Sequence, residues 1–208
     1  MRAVVVVIAG LLFATLGCTG YGDVVLLNLQ ANTHEAAAQA PARPLKVEVR
    51  PFQSPRSIHL FSRTHLWGGK TYYAVPGGDP PALMAKIGAD FFDQQGWAAW
   101  VGGAEDNGGA TDPDVVVSGT VQSFVAQSIS HYGFTRISAR LTVDLQAVNR
   151  EDSSTVRMSY SDEIVRRVFW YGPEDLERVI NELITNTFSK FAKGTRMEGR
   201  SLRIKEGA

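Results

Sequence analysis

The clearest pattern in the chain is an unbroken alternation of polar and apolar side chains from residue 136 to residue 147. Polar residues, including Arg136, Arg140 and Asp144, hold the even positions, and apolar residues hold the odd ones. Successive side chains of a β-strand point to opposite faces, so this segment predicts a strand with one buried and one wet face. The polar segment 149–154 predicts a turn, and 155–168 predicts the returning partner strand.

Shorter runs of the same kind predict more strands over residues 45–50, 97–101 and 114–127. Gly68-Gly69 separates two further runs and predicts a two-residue hairpin turn. This hairpin lies in an aromatic insert, residues 58–75, which we expect to cover the main sheet as a flap. The apolar run within residues 19–29 predicts one more strand, paired with the domain.

Two segments have helical periodicity. The first follows Asp79, a candidate N-cap, and Pro80, and its apolar residues recur every four positions until Gly96. The second follows Pro173 and carries one apolar stripe up to Gly194. Strands flanked by two helices predict an α+β fold, with an antiparallel sheet and both helices packed on one face. We expect this domain to span residues 45–193, behind a lipid-tethered N-terminus.

The N-terminus has the pattern of a secretion signal. Arg2 precedes 14 apolar residues (3–16), fewer than the roughly 20 that a membrane-spanning helix needs. The segment "ATLGC" resembles the bacterial lipobox, although Leu stands one position late. This resemblance implies a signal peptide over residues 1–17, cleavage after Gly17, and covalent acylation of Cys18. Residues 18–44 would then tether the domain to the lipid. The alternative is an ordinary signal peptide followed by a free cysteine.

The composition and the absence of known motifs argue against two classes of ligand, nucleic acids and nucleotides. The chain has 21 basic and 21 acidic residues, so no net charge draws it to nucleic acid. No G-x-G-x-x-G or P-loop motif predicts a nucleotide site. Thr19, rather than Asp, follows Cys18, which by analogy with enteric lipoproteins favours the outer membrane over the inner. We therefore expect a periplasm-facing protein with a lipid on Cys18 and no other cofactor.

The search for catalytic or metal-binding residues gives only weak candidates. His59 and His65 would form a metal site if they met across a hairpin, but no cysteine or spaced carboxylate completes one, and surface histidines are the alternative. The acidic loop around Asp112 and Asp114 lacks the EF-hand spacing, so a solvated loop is favoured over a calcium site. No nucleophile is accompanied by a base and an orienting group. We expect no enzymatic activity.

Three features are candidates for contact with a partner. Arg136 and Arg140 lie on the wet face of the best strand, where an acidic partner is one interpretation and a solvated face the other. The insert supplies Trp67, Tyr72 and Tyr73, which form either a sticky patch or part of the core. Residues 194–208 form a basic tail, expected to be disordered or attracted to anionic lipid head groups.

The order of these segments resembles that of a known group. "KVEVRPFQSPR", "ALMAKIGADFFDQQGWAAW", "DPDVVVSGTVQSF" and "ARLTVDLQAVNREDSSTVRMSYSDEIVR" are similar to YajG-type bacterial lipoproteins over residues 45–193. Auxiliary lipoproteins of lipid-trafficking ABC transporters share this outline. The resemblance implies a binding or assembly component that contacts an envelope protein or lipid. An auxiliary subunit of an ABC-type lipid transporter is the first alternative, and a cell-wall or lipid hydrolase is an alternative of another class.

Overall fold

The computed structural model describes residues 24–31, 44–54, 59–103 and 112–205. The expected signal peptide, Gly17, Cys18 and most of the expected tether lie outside these residues. Within the described residues, no helix combines the length and the apolar character that a membrane span requires.

The described chain confirms the α+β prediction. Its strands are β1 Val24–Leu26, β2 Lys46–Val49, β3 His59–Thr64, β4 Lys70–Ala74, β5 Ala98–Val101, β6 Val115–His131, β7 Phe134–Asn149, β8 Thr155–Val168, β9 Thr195–Glu198 and β10 Ser201–Ile204. Its helices are α1 Pro80–Gln94 and α2 Pro173–Gly194, with a short 3-10 helix at Pro76–Gly78. Pro80 and Pro173 open the two α-helices as predicted, but the Asp79 side chain makes no capping hydrogen bond.

Eight strands form one mixed sheet rather than the antiparallel sheet that the sequence predicted. Strands β6, β7 and β8 are antiparallel neighbours, and so are β3 and β4. Strands β2 and β3 both run parallel to β6, and β5 runs parallel to β2. Parallel neighbours need a crossover connection, and α1 lies on the connection from β2 to β5.

The long strand β6 explains how so many strands share one sheet. One of its edges pairs with β7 along its whole length. Its other edge pairs with β2 at Val115–Val117 and then with β3 at Phe124–Ile129. The β3–β4 hairpin is therefore part of the main sheet and is not a flap over it. Its turn runs from His65 to Gly69, where Gly68 N–H donates to the His65 carbonyl at 3.1 Å and His65 N–H donates to the Gly69 carbonyl at 3.2 Å. The turn is therefore longer than the two-residue turn that the sequence predicted, although Gly68 and Gly69 lie in it with φ angles of 87° and 81° that favour glycine.

Both helices pack on the same face of the sheet. Helix α1 contacts β2, β5 and β6, and α2 contacts β6, β7 and β8. Every odd-numbered residue of β7, from Thr135 to Asn149, is buried beneath them, as the alternation predicted. The rings of Phe91, Phe92 and Phe188 meet between the helices, with centroids 5.7 to 5.9 Å apart. The other face of the sheet has no helix over it among the described residues.

The N-terminal segment 24–31 belongs to the fold. Strand β1 pairs in parallel with β4, which confirms the strand expected within residues 19–29. Leu27 and Leu29 are buried, and the backbone N–H of Gln30 donates to Asn181 Oδ1 at 2.9 Å. Part of the segment expected to act as a tether is thus packed against α2.

The basic tail folds as a hairpin through residue 204, so the expectation of disorder is wrong there. Strands β9 and β10 are antiparallel, and Leu202 of β10 is fully buried. Three arginines of this hairpin pair with carboxylates rather than facing solvent alone: Arg196 with Glu198, Arg200 with Asp114 and Arg203 with Asp152. Hydrophobic burial and ion pairing hold this hairpin against the domain. The number of basic residues in the tail indicated neither of these interactions.

Candidate binding surface

The sheet surface opposite the helices is the largest candidate site, and we call it the open face. It carries the even-numbered side chains of β7 from Arg136 to Val148 and their cross-strand neighbours on β6 and β8. Most of these side chains are half-buried or exposed and polar. Because the two helices cover only the other face, the open face is left as a long polar surface.

A groove crosses the open face where the chain leaves β2. The segment after β2 runs beside β6, and Arg50 N–H donates to the Val117 carbonyl at 2.8 Å. Gln53 both donates to the Gly119 carbonyl and accepts from Val121 N–H, each at 2.8 Å. The groove encloses about 790 Å³. Its polar lining residues are Arg50, Gln53, Ser118, Thr120, Asp144, Gln146, Arg150, Arg157 and Ser159.

Asp144 is the acidic centre of this groove. Its carboxylate accepts hydrogen bonds from Ser159 Oγ at 2.5 Å and from Gln122 Nε2 at 3.0 Å. These two bonds hold the pKa of Asp144 below its usual range, against the opposing effect of partial burial. The carboxylate is therefore ionised at neutral pH and is a weak proton acceptor.

Arginines dominate the charge on this surface. On β7 and β8 the open face has four arginines (Arg136, Arg140, Arg157 and Arg167) and two carboxylates (Asp144 and Glu163). Arg140 pairs with Glu163 at 2.7 Å. Arg136 lies directly opposite Arg167 in the β7–β8 register. Because like charges at such a pair repel, this end of the open face favours an anionic contact.

The histidines do not come together as a metal site would require. His59 begins β3 and His65 follows its end, so the two lie six residues apart on one strand, about 20 Å along its axis. The ring of His65 hydrogen-bonds Thr71 Oγ1 at 2.8 Å, and burial followed by the nearby Arg63 lowers its pKa. No group of three or more metal-ligating side chains occurs within the described ranges.

In the acidic loop, the described residue Asp114 has a structural role. Asp114 is buried, accepts a hydrogen bond from Lys46 N–H at 3.0 Å and pairs with Arg200 at 2.5 Å. Residues 104–111 lie outside the described chain. Ser118-Gly119 lies inside β6, where a Cβ on Gly119 would fall 2.7 Å from the ring of Phe52. Close packing explains this glycine.

The aromatic residues of the insert divide between surface and core. Trp67 is 88% exposed in the β3–β4 turn, and Tyr72 is about half exposed on β4. Tyr73 is buried, which agrees with the core alternative rather than with a partner surface for this residue, because adjacent residues of a strand point to opposite faces. Its hydroxyl lies 2.9 Å from that of Tyr171, whose pKa is raised chiefly by burial.

The sequence reasoning missed one cluster at the far end of the sheet. Trp67, Tyr132, Phe169 and Trp170 are 84 to 92% exposed, and Leu66 beside them is also exposed. We call these five residues the aromatic end. They occupy the β3–β4 turn, the β6–β7 turn and the loop from β8 to α2. The signal was present in the sequence as aromatic residues beside turn glycines, in "LWGG", "HYGF" and "FWYG".

Comparisons with known proteins give similarity at the level of chain arrangement only. No protein-family profile and no curated protein sequence matches the chain. A DUF330 protein from Xanthomonas campestris aligns with 82% of this chain and 92% of its own, at 12% identity and a TM-score of 0.47. The PelC dodecamer from Paraburkholderia phytofirmans aligns with 70% of this chain and 90% of its own, at 15% identity and a TM-score of 0.37. Lipoprotein GNA1162 from Neisseria meningitidis aligns with 72% and 99%, at 14% identity and 0.28.

These values are too low to transfer a function or to define a family. The resemblance to YajG-type lipoproteins stays a prediction.

Proposed function

We propose that the protein is a non-enzymatic lipoprotein of the bacterial cell envelope, with a folded domain that faces the periplasm and binds another envelope protein. The N-terminal sequence supports the anchor, since a short signal-like segment ends at the single cysteine, Cys18. The open face supports the binding role. We place the anchor in the outer membrane, because Thr19 rather than Asp follows Cys18.

The observation that carries this proposal is the uncovered, cationic open face. A two-layer α+β domain normally needs to cover only one face of its sheet, and a polar second face is stable in water. Here that face also has a groove and an excess of arginine over carboxylate on β7 and β8. Arginine is enriched in protein interfaces, and its planar fork fits carboxylates. We therefore expect a partner with an acidic surface or segment.

The groove chemistry favours binding over catalysis. The Ser159 hydroxyl donates a hydrogen bond to Asp144, whose lowered pKa makes it a poor general base. No histidine lines the groove to activate the serine. The polar groups are instead arranged as paired donors and acceptors along a surface, which suits recognition of an extended or flat partner.

Site-specific photocrosslinking in intact cells tests this proposal. A photoreactive amino acid replaces Ser138 or Ser161 on the open face, and Lys86, exposed on α1 on the opposite side, is the matched control position. We expect a discrete crosslinked species with an envelope protein from the open-face positions and none from Lys86. Arg140→Glu combined with Arg157→Glu should weaken that crosslink.

Two results would count against the proposed partner surface. The first is crosslinking from Lys86 with none from the open face. The second is an open-face crosslink whose yield does not respond to reversal of the two arginine charges. Cell fractionation on the same samples tests the anchor separately, because a lipoprotein stays with the membranes and an unanchored protein does not.

A further inference from the structure

The aromatic end gathers three turns at the same end of the sheet. In the parallel β3–β6 pair, Thr64 is opposite Ile129, so the β3–β4 turn lies beside the β6–β7 turn. In the antiparallel β7–β8 pair, Thr135 is opposite Val168, so the loop after β8 lies beside them. Four aromatic side chains, each at least 84% exposed, thus project from neighbouring turns. Isolated exposed apolar residues are common on proteins, but a group of this size marks a contact.

Basic residues predominate in the three turns, although Asp175 lies close to them and its carboxylate accepts a hydrogen bond from Gly172 N–H at 3.1 Å. The three segments 63–70, 129–136 and 165–172 contain five basic residues and no acidic residue. Arg63 stacks on the Tyr171 ring at 4.3 Å, and Arg166 pairs with Glu182 of α2. Lys70, Arg136 and Arg167 complete the set. Arg136 and Arg167 face each other across the strands, with Arg167 5.4 Å from the ring of Phe134.

The N-terminal segment enters the domain at this same end. Strand β4 starts at Lys70, directly after the β3–β4 turn, and β1 runs parallel to it with Val24 opposite Tyr72. Val24, the first residue of β1, therefore lies at the end of this strand that is nearer to the aromatic end. Cys18 is six residues before Val24 in the sequence. A chain of six residues reaches at most about 20 Å when fully extended. Val24 and Leu26 are themselves about two-thirds exposed.

We propose that the aromatic end rests on the surface of the bilayer that holds the lipid anchor. Tryptophan and tyrosine favour the membrane interface, where the ring is in an apolar layer and the polar atom is wet. Lys70, Arg136 and Arg167 would contact the phosphates of anionic lipids. The inference rests on the proposed acylation of Cys18, and it adds a second membrane contact to that anchor.

The shape of the aromatic end favours a surface over a protein segment as its partner. The exposed rings project from three turns rather than lining a groove, and a groove is what a strand or helix would need. The proposal also fixes the orientation of the domain. The sheet would stand upright on the membrane, with the open face accessible from the side and the β9–β10 hairpin farthest from the lipid.

The four tryptophans of the chain supply the experiment. Trp67 and Trp170 belong to the aromatic end. Trp97 and Trp100 lie near the start of β6, which is fifteen residues, or about 50 Å along the sheet, from the aromatic end. Protein purified from membranes is checked by intact mass and reconstituted in phosphatidylethanolamine–phosphatidylglycerol vesicles. Brominated acyl chains in these vesicles quench only tryptophans at the bilayer. The Trp67→Phe/Trp170→Phe variant keeps the aromatic character and removes both reporters.

We expect bromine to quench the wild-type protein and to leave the emission of the double variant unchanged. Lys70→Gln, Arg136→Gln and Arg167→Gln should each weaken binding to vesicles about five-fold, since a basic residue near an anionic surface contributes about 1 kcal/mol. An acylated protein whose Trp67 and Trp170 emission is insensitive to bromine overturns the inference and leaves the anchor intact. A blue shift of that emission without quenching overturns it in favour of contact between copies of the chain.

An unacylated mass would contradict the proposed anchor instead. The same protein is then mixed with preformed brominated vesicles. Quenching of Trp67 and Trp170 supports membrane contact by the aromatic end without the lipid, and its absence overturns the inference as well.

Discussion

The bond network at Asn149 gives the sharpest test of the fold, because it joins the C-terminal hairpin to the sheet. Asn149 ends β7 and is fully buried. Its Nδ2 donates to the Leu202 carbonyl at 2.9 Å, and its Oδ1 accepts from the Leu202 N–H at 2.7 Å. A third bond, from Nδ2 to Ser154 Oγ at 2.7 Å, fixes the orientation of the amide. Asn149→Ala removes all three bonds and leaves the Leu202 backbone groups buried.

The expected loss of stability follows from those two backbone groups. A buried donor or acceptor without a partner costs about 1–3 kcal/mol. We expect the free energy of unfolding to fall by about 2–4 kcal/mol, because the hairpin lies at the end of the domain and admits some water. This is a large fraction of the roughly 5–15 kcal/mol that stabilises a typical domain.

Urea unfolding of the purified protein measures this loss, with Gln146→Ala as the control. Gln146 lies on the open face of the same strand, and we expect its replacement to change the unfolding free energy by about 0.5 kcal/mol or less. Leu202→Ala gives a second measure of the same contact and should cost about 2–5 kcal/mol. If Asn149→Ala and Leu202→Ala both behave like the control, residues 195–204 are not part of the fold.

Three further predictions concern packing and electrostatics. Gly119→Ala should lower stability by about 1–3 kcal/mol, since its Cβ would meet the Phe52 ring at 2.7 Å; thermal unfolding measures this, and an unchanged Tm would contradict the close packing. Asp152 accepts two bonds from Ser154 and pairs with Arg203, which together lower its pKa from 3.8 to about 2. The ionised Asp152 therefore stabilises the fold fully above pH 3.8, and this stabilisation is lost as the pH falls toward about 2. In acid titrations, the difference in unfolding free energy between the wild type and Asp152→Asn should shrink over that range. A double-mutant cycle on Arg140 and Glu163 should give a coupling of about 0.2–1 kcal/mol that salt reduces, and a larger, salt-insensitive coupling would mean that this exposed pair is shielded from water.

Local patterns in the sequence predicted most of the elements, for reasons that the structure makes clear. The alternation over residues 136–147 predicted β7 and its buried face because one side of that strand packs against helices. A turn near Gly68 and Gly69 and the two prolines that begin the helices were predicted because each depends on a backbone preference of the residue itself, although the turn is longer than the two residues predicted.

Long-range pairing was harder to predict from the sequence. The parallel placement of β2 and β3 along one edge of β6 pairs residues that are distant in the sequence, such as Val49 with Val117, and leaves no mark in either strand. The "TYYAV" segment placed Tyr72 and Tyr73 together in the sequence, but the pleat sends them to opposite faces. The C-terminal hairpin was expected to be disordered because its basic residues dominate the composition, whereas one buried leucine and a set of ion pairs hold it to the domain.

The aromatic end was overlooked for a related reason. Its residues are distant in sequence and each follows or interrupts a turn, so no periodicity connects them. Only the sheet register brings Trp67, Tyr132 and Trp170 to one end. The Tyr73–Tyr171 contact likewise joins residues 98 positions apart.

The intact mass of the protein extracted from membranes tests the proposed lipid anchor most directly. We predict a mature chain that begins at Cys18 and carries acyl chains, found with the membranes, together with a Cys18→Ala variant that has lost both the acyl mass and the membrane association. An unacylated chain of the same wild-type sequence, recovered in the soluble periplasmic fraction, would contradict the proposed anchor.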